Sequence, residues 1–368
     1  MELTKCKLGE LITQRREKND GSDLPICGVS KDGLIPPKQK DADTSIYNVF
    51  YRDDFIFNPA RMELNSIAIN DMYDRAICSS LYEVFYVHRT DLLLPHYLKL
   101  IIRQKWFTRY CEFLGQGSAR EYCRFGNISE IEIEFPPIKE QQKIVDYNTA
   151  IENRIALKQK INDNLEATLS ALYKEFFTIT SSDELPFGWR VAPFSDIAAI
   201  TMGQSPQGDD CNNDGVGEPL LNGPTEFGFY SPSPVQWTTN GKKHCVEGDL
   251  LFCVRGSTTG RMNWANQSYA IGRGLAAIHH KSDCTLNWFV KAMIDNSLQE
   301  ILSAATGSTF PNVGKDLLNG FQVIIPDDNS LREFGVKGHS IFSMISNNAK
   351  EIDALVGLQR TLLSKLTI

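Results

Sequence analysis

The chain has 368 residues, 42% hydrophobic and 23% charged, with a formal net charge of −7. That length holds about two domains of ordinary size, and the composition excludes wholesale disorder. The acidic excess argues against a protein that coats nucleic acid without regard to sequence, a mode built on many phosphate contacts, but leaves room for a focal basic cleft.

The opening residues, Met1 to Lys7, lack the apolar run of a secretory signal. No later window supplies the roughly 18 consecutive apolar residues of a membrane span, so a cytoplasmic protein is expected. Nine cysteines, an odd number with no C-x-x-C pair, predict reduced, mostly buried thiols. None of the six histidines stands at zinc-finger spacing, and no metal site is expected.

In chain order, Leu8 to Ile12 reads as a short helical turn, and Leu24 to Val29 leads into the turn signal Lys31-Asp32-Gly33 and the stop Pro36-Pro37. Strands are expected at Tyr47 to Tyr51, Asp54 to Phe57, Ser66 to Ile69 and Tyr82 to Val87. Pro95 to Phe113 has helical spacing, with Tyr97, Leu98, Ile101, Ile102, Trp106, Tyr110 and Phe113 on one apolar face. An alternating strand is expected from Ile128 to Phe135, which completes a compact α+β domain.

Pro136-Pro137-Ile138-Lys139-Glu140-Gln141-Gln142 opens a long amphipathic helix that runs to Phe177. Ile151, Ile155, Lys158, Asn162, Leu165, Leu169, Leu172 and Phe176 alternate gaps of four and three, which is a heptad seam with two polar interruptions. The helix carries six basic residues (Lys139, Lys143, Arg154, Lys158, Lys160, Lys174) and six acidic ones (Glu140, Asp146, Glu152, Asp163, Glu166, Glu175). A neutral mixed surface suits a protein-facing coiled coil, whereas a DNA-gripping helix would be basic.

Thr180 to Trp189 is a polar, turn-rich joint, and the second half then repeats the first. Phe194-Ser195-Asp196-Ile197 echoes Leu8 to Leu11, Gly248 to Phe252 echoes Asp53 to Phe57, and Leu286 to Leu302 echoes the helix from Pro95. Gly307-Ser308 lies 190 residues after Gly117-Ser118, and Leu318, Phe321, Val323, Ile325 and Pro326 lie 190 after Ile128, Ile131, Ile133, Phe135 and Pro136. The same offset carries the first seam onto Ile341, Ile345, Asn348, Ile352, Leu355, Gln359, Leu362 and Leu366. A constant offset of this extent predicts an internal duplication. Lys158 and Asn348 occupy equivalent seam positions, where a polar residue fixes register at some cost in stability.

These residues resemble the specificity subunits of type I restriction-modification systems. The resemblance covers nearly the whole chain. Its most specific parts are Pro136 to Val145, Leu185-Pro186-Phe187-Gly188-Trp189-Arg190-Val191, and Met202-Gly203-Gln204-Ser205-Pro206. It implies two tandem α+β target-recognition domains, each reading one half of a bipartite DNA sequence, separated by two long helices that pair as an antiparallel coiled coil with pseudo-twofold symmetry. The implied segments are residues 1–136 for the first domain, 137–179 for the first spacer helix, 180–326 for the second domain and 327–368 for the second helix.

The partners so implied are double-stranded DNA, two modification subunits docked on the helices, and restriction subunits where these join. Adenine-N6 methylation and its S-adenosylmethionine belong to the modification subunits, so no cofactor is expected in this chain. The chain departs from the pattern in lacking a Trp before Leu8-Gly9 and in carrying Pro326-Asp327-Asp328-Asn329-Ser330-Leu331-Arg332 in place of a second Pro-Pro-x-x-Glu-Gln.

No catalytic set can be argued from spacing. Asn58-Pro59-Ala60-Arg61 lacks the second Pro and the aromatic residue of an amino-methyltransferase motif, and Phe113 to Gly117 mimics a cofactor-binding glycine loop but follows a helix instead of a strand. His279-His280 reads as a strand end.

For DNA recognition, Arg and Lys suit phosphates and guanine edges, and Asn and Gln suit adenine. The candidates in the first half are Lys31, Lys38, Arg61, Arg75, Arg120 and Arg124; in the second they are Lys242, Lys243, Arg255, Arg261 and Arg273, with Asn222. Each of these, read singly, is also what a solvated surface charge looks like. The helix-pairing candidates are Ile151, Ile155, Leu165, Leu172, Ile341, Ile345, Ile352, Leu355 and Leu362. A reading from another class keeps the fold but makes the chain a protein-interaction scaffold, two α+β binding modules held together by a coiled coil; the net acidity is its best support.

Overall fold

The computed structural model describes residues 3–31, 33–37, 43–115, 122–177, 184–228, 230–307, 310–364 and 366. The chain divides into two compact units, Met1–Ala156 with Ala354–Ile368, and Leu157–Asp353.

The first unit opens with β1 (Thr4–Lys7), β2 (Ile12–Arg15), β3 (Ile26–Ser30), β4 (Gly33–Ile35) and β5 (Asn48–Tyr51), followed by β6 (Phe55–Phe57), β7 (Ile67–Ile69), β8 (Arg75–Cys78) and β9 (Glu83–Val87). Then come α1 (Pro95–Ile102), α2 (Lys105–Gly115), α3 (Phe125–Ser129) and β10 (Glu132–Phe135). One sheet has the order β2-β9-β6-β7 and another β4-β3-β8-β5, while β1 pairs with β10 from Thr4↔Phe135 to Lys7↔Glu132. Burial drives the arrangement: Phe55, Phe57, Ile67, Ile69 and Phe85 form one core with Tyr97, Leu98, Ile101, Ile102 and Phe107. Phe55 and Phe85 stack with centroids 5.0 Å apart.

Two expectations are corrected here. The helix from Pro95 is broken at Arg103-Gln104, where the Gln104 N–H bonds the Ile101 carbonyl three residues back and its Nε2 bonds the Leu100 carbonyl. Ile128 is helical, not the start of a strand. Asn127 Oδ1 accepts from the Arg124 N–H and Ser129 Oγ returns to the Phe125 carbonyl, and these local bonds stabilise a short α3 before β10 begins.

The second unit carries β11 (Arg190–Pro193), β12 (Ala198–Met202), β13 (Cys211–Asn212), β14 (Glu218–Leu221), β15 (Gln236–Thr238), β16 (His244–Cys245), β17 (Leu250–Cys253), β18 (Met262–Trp264), β19 (Tyr269–Ile271) and β20 (Leu275–His280). They precede α5 (Asn287–Ser303), α6 (Lys315–Gly320) and β21 (Gln322–Ile325). Its sheets have the orders β12-β20-β17-β18 and β13-β15-β14-β19-β16, with β11 on β21. Strand by strand these sheets repeat those of the first unit, with β13 added at one edge, while the single α5 stands where the first unit has α1 and α2. The parallel pair β14/β19 stands where the first unit has the parallel pair β3/β8.

Two long helices complete the units: α4 (Ile138–Phe177), divided between them after Ala156, and α7 (Asp328–Ser364), divided after Asp353. In the first unit Gln141 is fully buried; its Nε2 donates to the carbonyls of Leu92 and Pro136 at 2.7 and 2.8 Å and its Oε1 accepts from the Leu94 N–H at 2.9 Å. In the second unit Asp327 receives the N–H groups of Asn329 and Ser330 and Nε1 of Trp189, so it holds the start of α7. No helix among the described residues is long and apolar enough to cross a membrane.

Candidate nucleic-acid interface

In the first unit β3 and β8 run parallel, so their carboxyl ends deliver Lys31 and Ser79 to the same edge. The end of β6 adds the loop from Asn58, whose Oδ1 accepts from the Ala60 N–H at 3.0 Å. The Cys123 N–H bonds the Pro59 carbonyl at 3.1 Å, which brings in Tyr122 and Arg124. These loops line one cleft of about 1000 Å³ that includes Lys31, Arg61, Leu81, Tyr122, Glu83 and Arg124.

Three sequence candidates, Lys31, Arg61 and Arg124, therefore share a wall. Among the described residues, Lys31 and Arg61 have no carboxylate partner. Arg124 is held on two sides: Nη1 lies 3.2 Å from Glu83 Oε1, and the guanidinium sits 5.5 Å from the Tyr122 ring centroid. Glu83 is itself fixed, with Oε2 accepting from the Phe125 N–H at 2.8 Å and Gln14 Nε2 at 3.3 Å. Arg75 lies elsewhere, paired with Glu17 and Asp20 and facing the Tyr51 ring. Lys38 and Arg120 fall outside the described residues.

The matching end of the second unit gathers several loops. The Gly272 N–H bonds the Leu221 carbonyl and the Ile271 N–H bonds that of Lys243, while the Val254 N–H bonds that of Gly274. Lys243, Arg255 and Arg273, all exposed, thus flank the carboxyl ends of β14 and β19 together with Asn222. The loop from Arg255 to Arg261 turns on Gly256 and Gly260, at φ of +90° and +93°, values that favour glycine. Arg261, exposed, closes that loop, its carbonyl accepting from the Cys253 N–H. Lys242 is exposed and bonds Asn240 Oδ1 at 2.6 Å.

Sequence reading missed Gln236, bonded to Asn222 at 2.7 Å, and Glu83. The glycines around Asn222 were the available signal for the first.

Residues with catalytic potential are used structurally. The side-chain oxygen of Asn58 is taken by its own turn. His279, the penultimate residue of β20, faces Asp249 at 3.2 Å; burial pushes the Asp249 carboxyl up and the His280 imidazole down. Among the described residues no group of three His, Cys, Asp or Glu could hold a metal.

The helix-pairing candidates lie on the packed faces of α4 and α7. In the second unit Leu165, Leu172, Ile341 and Ile345 join its core, and Ile352 is buried. Lys158 Nζ reaches Asn348 Oδ1 and Glu351 Oε2, both at 2.8 Å, while Asn162 meets Asn348 at 2.7 Å and the Ile345 carbonyl at 3.2 Å. Contacts that descend on α7 as they ascend on α4 mark antiparallel packing. In the first unit Ile151 is buried, Ile155, Leu355 and Leu362 are half-buried, and Gln359 Nε2 bonds Asn148 at 3.0 Å.

Residues 6–167 match the family described as "Type I restriction modification DNA specificity domain". The chain is 26% identical over 308 residues to the type I restriction enzyme MjaX specificity subunit of Methanocaldococcus jannaschii, covering 77% of this chain and 71% of that protein. It is 24% identical over 297 residues to the MjaIX specificity subunit of the same organism, covering 75% and 69%. The fold is similar to that of a type I restriction-modification system S subunit from M. genitalium, at 14% identity and a TM-score of 0.57 over 99% and 96% of the two chains.

Proposed function

We propose that this chain is a type I restriction-modification specificity subunit, a member of a non-catalytic class that serves DNA recognition while catalysis lies in other subunits, and that each of its units reads one half of a bipartite duplex target. The observation that carries this reading is the repeated sheet order. In both units candidate cations, Lys31 in the first and Lys243 and Arg273 in the second, flank the carboxyl ends of the same parallel strand pair, β3/β8 and β14/β19. A duplication that preserved one reading edge accounts for both.

On this reading α4 and α7 pair as an antiparallel coiled coil and act as a ruler. Their 40 and 37 residues, at about 1.5 Å each, span on the order of 60 Å. With about 3.4 Å per base pair, two half-sites within a couple of turns are reachable and the bases between go unread. The mixed charge of the helices suits docking of two modification subunits, which carry S-adenosylmethionine and methylate adenine N6, and of restriction subunits where these join. Such an assembly works in the cytoplasm.

The net charge of −7 favours the protein-interaction scaffold as the second reading. Binding of the chain, with the other subunits of its system, to random-sequence duplex DNA at increasing salt separates the two. Affinity that falls linearly in log–log form as salt rises is expected from phosphate contacts. A chain that shows no duplex binding at low salt is a scaffold.

A further inference from the structure

The segment Met202-Gly203-Gln204-Ser205-Pro206 packs against the end of β19 through close backbone approach. A Cβ on Gly203 would stand 2.2 Å from the Gly272 carbonyl oxygen, and one on Gly272 would stand 2.3 Å from Asn222 Oδ1. A Cβ on Gly274 would meet the Asn222 carbonyl oxygen at 2.4 Å. Glycine is required at these positions by contact, and the effect is to seat Asn222 in one place. Its Nδ2 donates to Gln236 Oε1 at 2.7 Å, and Ser205 Oγ accepts from the Arg273 N–H at 3.2 Å.

We infer that Gln236 is a base-reading residue of the second unit, that it reads adenine, and that Asn222 is its positioning residue. An amide oxygen has two lone pairs, and Asn222 occupies one. The other remains beside the Nε2 hydrogens, which have no partner among the described residues. That places one acceptor and one donor side by side, the complement of adenine N6–H and N7 in the major groove. The bond between the two amides couples their orientations, so that Gln236 turns its oxygen to the amide nitrogen of Asn222 and its ordering is completed before binding. Both side chains are half-buried, and the exposed Lys243 and Arg273 at the same strand ends suit flanking phosphates.

The inference rests on the reading that this edge of the second unit faces DNA. It is tested with the full chain, assembled with the other subunits of its system, by selection from a pool of randomised duplexes. Wild type, Gln236→Ala and Gln236→Glu are compared, with thermal melts to verify folding. The wild type should prefer A·T at the position read by Gln236 by roughly 5- to 150-fold. Gln236→Ala should bring that preference near unity and leave other positions unchanged. Gln236→Glu, close in shape, should move the preference to C·G, because a carboxylate accepts from cytosine N4; it decides the matter if the alanine variant misfolds. Folded variants that keep every preference, or lose all binding without change at a single position, overturn the inference. A wild type that enriches no sequence overturns the broader reading instead.

Discussion

Lys158 and Asn348, 190 residues apart, meet side chain to side chain, with Nζ donating to Oδ1 at 2.8 Å. They occupy the same position in two seams related by that offset, so their contact is the one that a twofold relation between the helices would put on its axis. Asn162 is fully buried beside them and takes the Asn348 amide at 2.7 Å. Replacing Asn348 by Ala strands that oxygen and should lower unfolding stability by about 1–3 kcal/mol. Replacing both Asn162 and Asn348 by Leu should be close to neutral while relaxing the register. Denaturant midpoints of the two variants check the contrast.

Arg124 is set in place by Glu83 and Tyr122 at the wall of the first cleft. Arg124→Ala should weaken duplex binding, by about 1–3 kcal/mol where the guanidinium makes a bidentate base contact. Arg124→Lys keeps the charge but loses the planar fork, so it should retain random-sequence binding and lose discrimination. Affinities for matched and scrambled duplexes at one salt concentration distinguish the outcomes.

Gln141 satisfies the Leu94 N–H and two carbonyls from a position with no exposure. Gln141→Leu should destabilise the protein by about 3 kcal/mol or more, because three buried backbone groups lose their partner at once. The residue 190 positions on is Leu331, packed in the apolar core of the second unit. Leu331→Gln should also destabilise, since the amide finds an apolar surround. Thermal unfolding of the two variants measures both effects.

Hydrogen bonds from Ser330, then from Asn329 and Trp189, hold the Asp327 carboxyl below the usual carboxylate range. A depressed folded pKa contributes stability that is fully present above the unfolded pKa and is lost as pH falls through the folded one. Asp327→Ala should therefore lower the melting temperature near neutrality, with the difference from wild type fading below about pH 3.8 as the carboxylate is protonated. Melting curves of both proteins across that range test the sign.

Periodicity made the long helices legible, because a heptad pattern needs only residue type and spacing. Strands β5, β6, β7 and β9 of the first unit were legible as short runs of aromatic and β-branched residues such as Phe55 to Phe57, but their order in the sheets was not. What the sequence hid was local competition and distant pairing. The short α3 is set by Asn127 and Ser129 bonding backbone within one turn, and a hydrophobic pattern does not see that. Glu83 lies 41 residues from Arg124, and Gln236 sits in a strand where its neighbours Val235 and Trp237 read as ordinary β-formers. Their roles appear only when folding brings Arg124 and Asn222 to them.

The central claim is that two readers are held apart by paired helices. It is tested most directly by adding one heptad to both α4 and α7, in matched positions, and mapping the sequence methylated by the assembled enzyme. Seven residues add about 10 Å, or roughly three base pairs. The account predicts the same two half-sites with a correspondingly wider unread gap. Methylation of the original sequence with its original gap would contradict it.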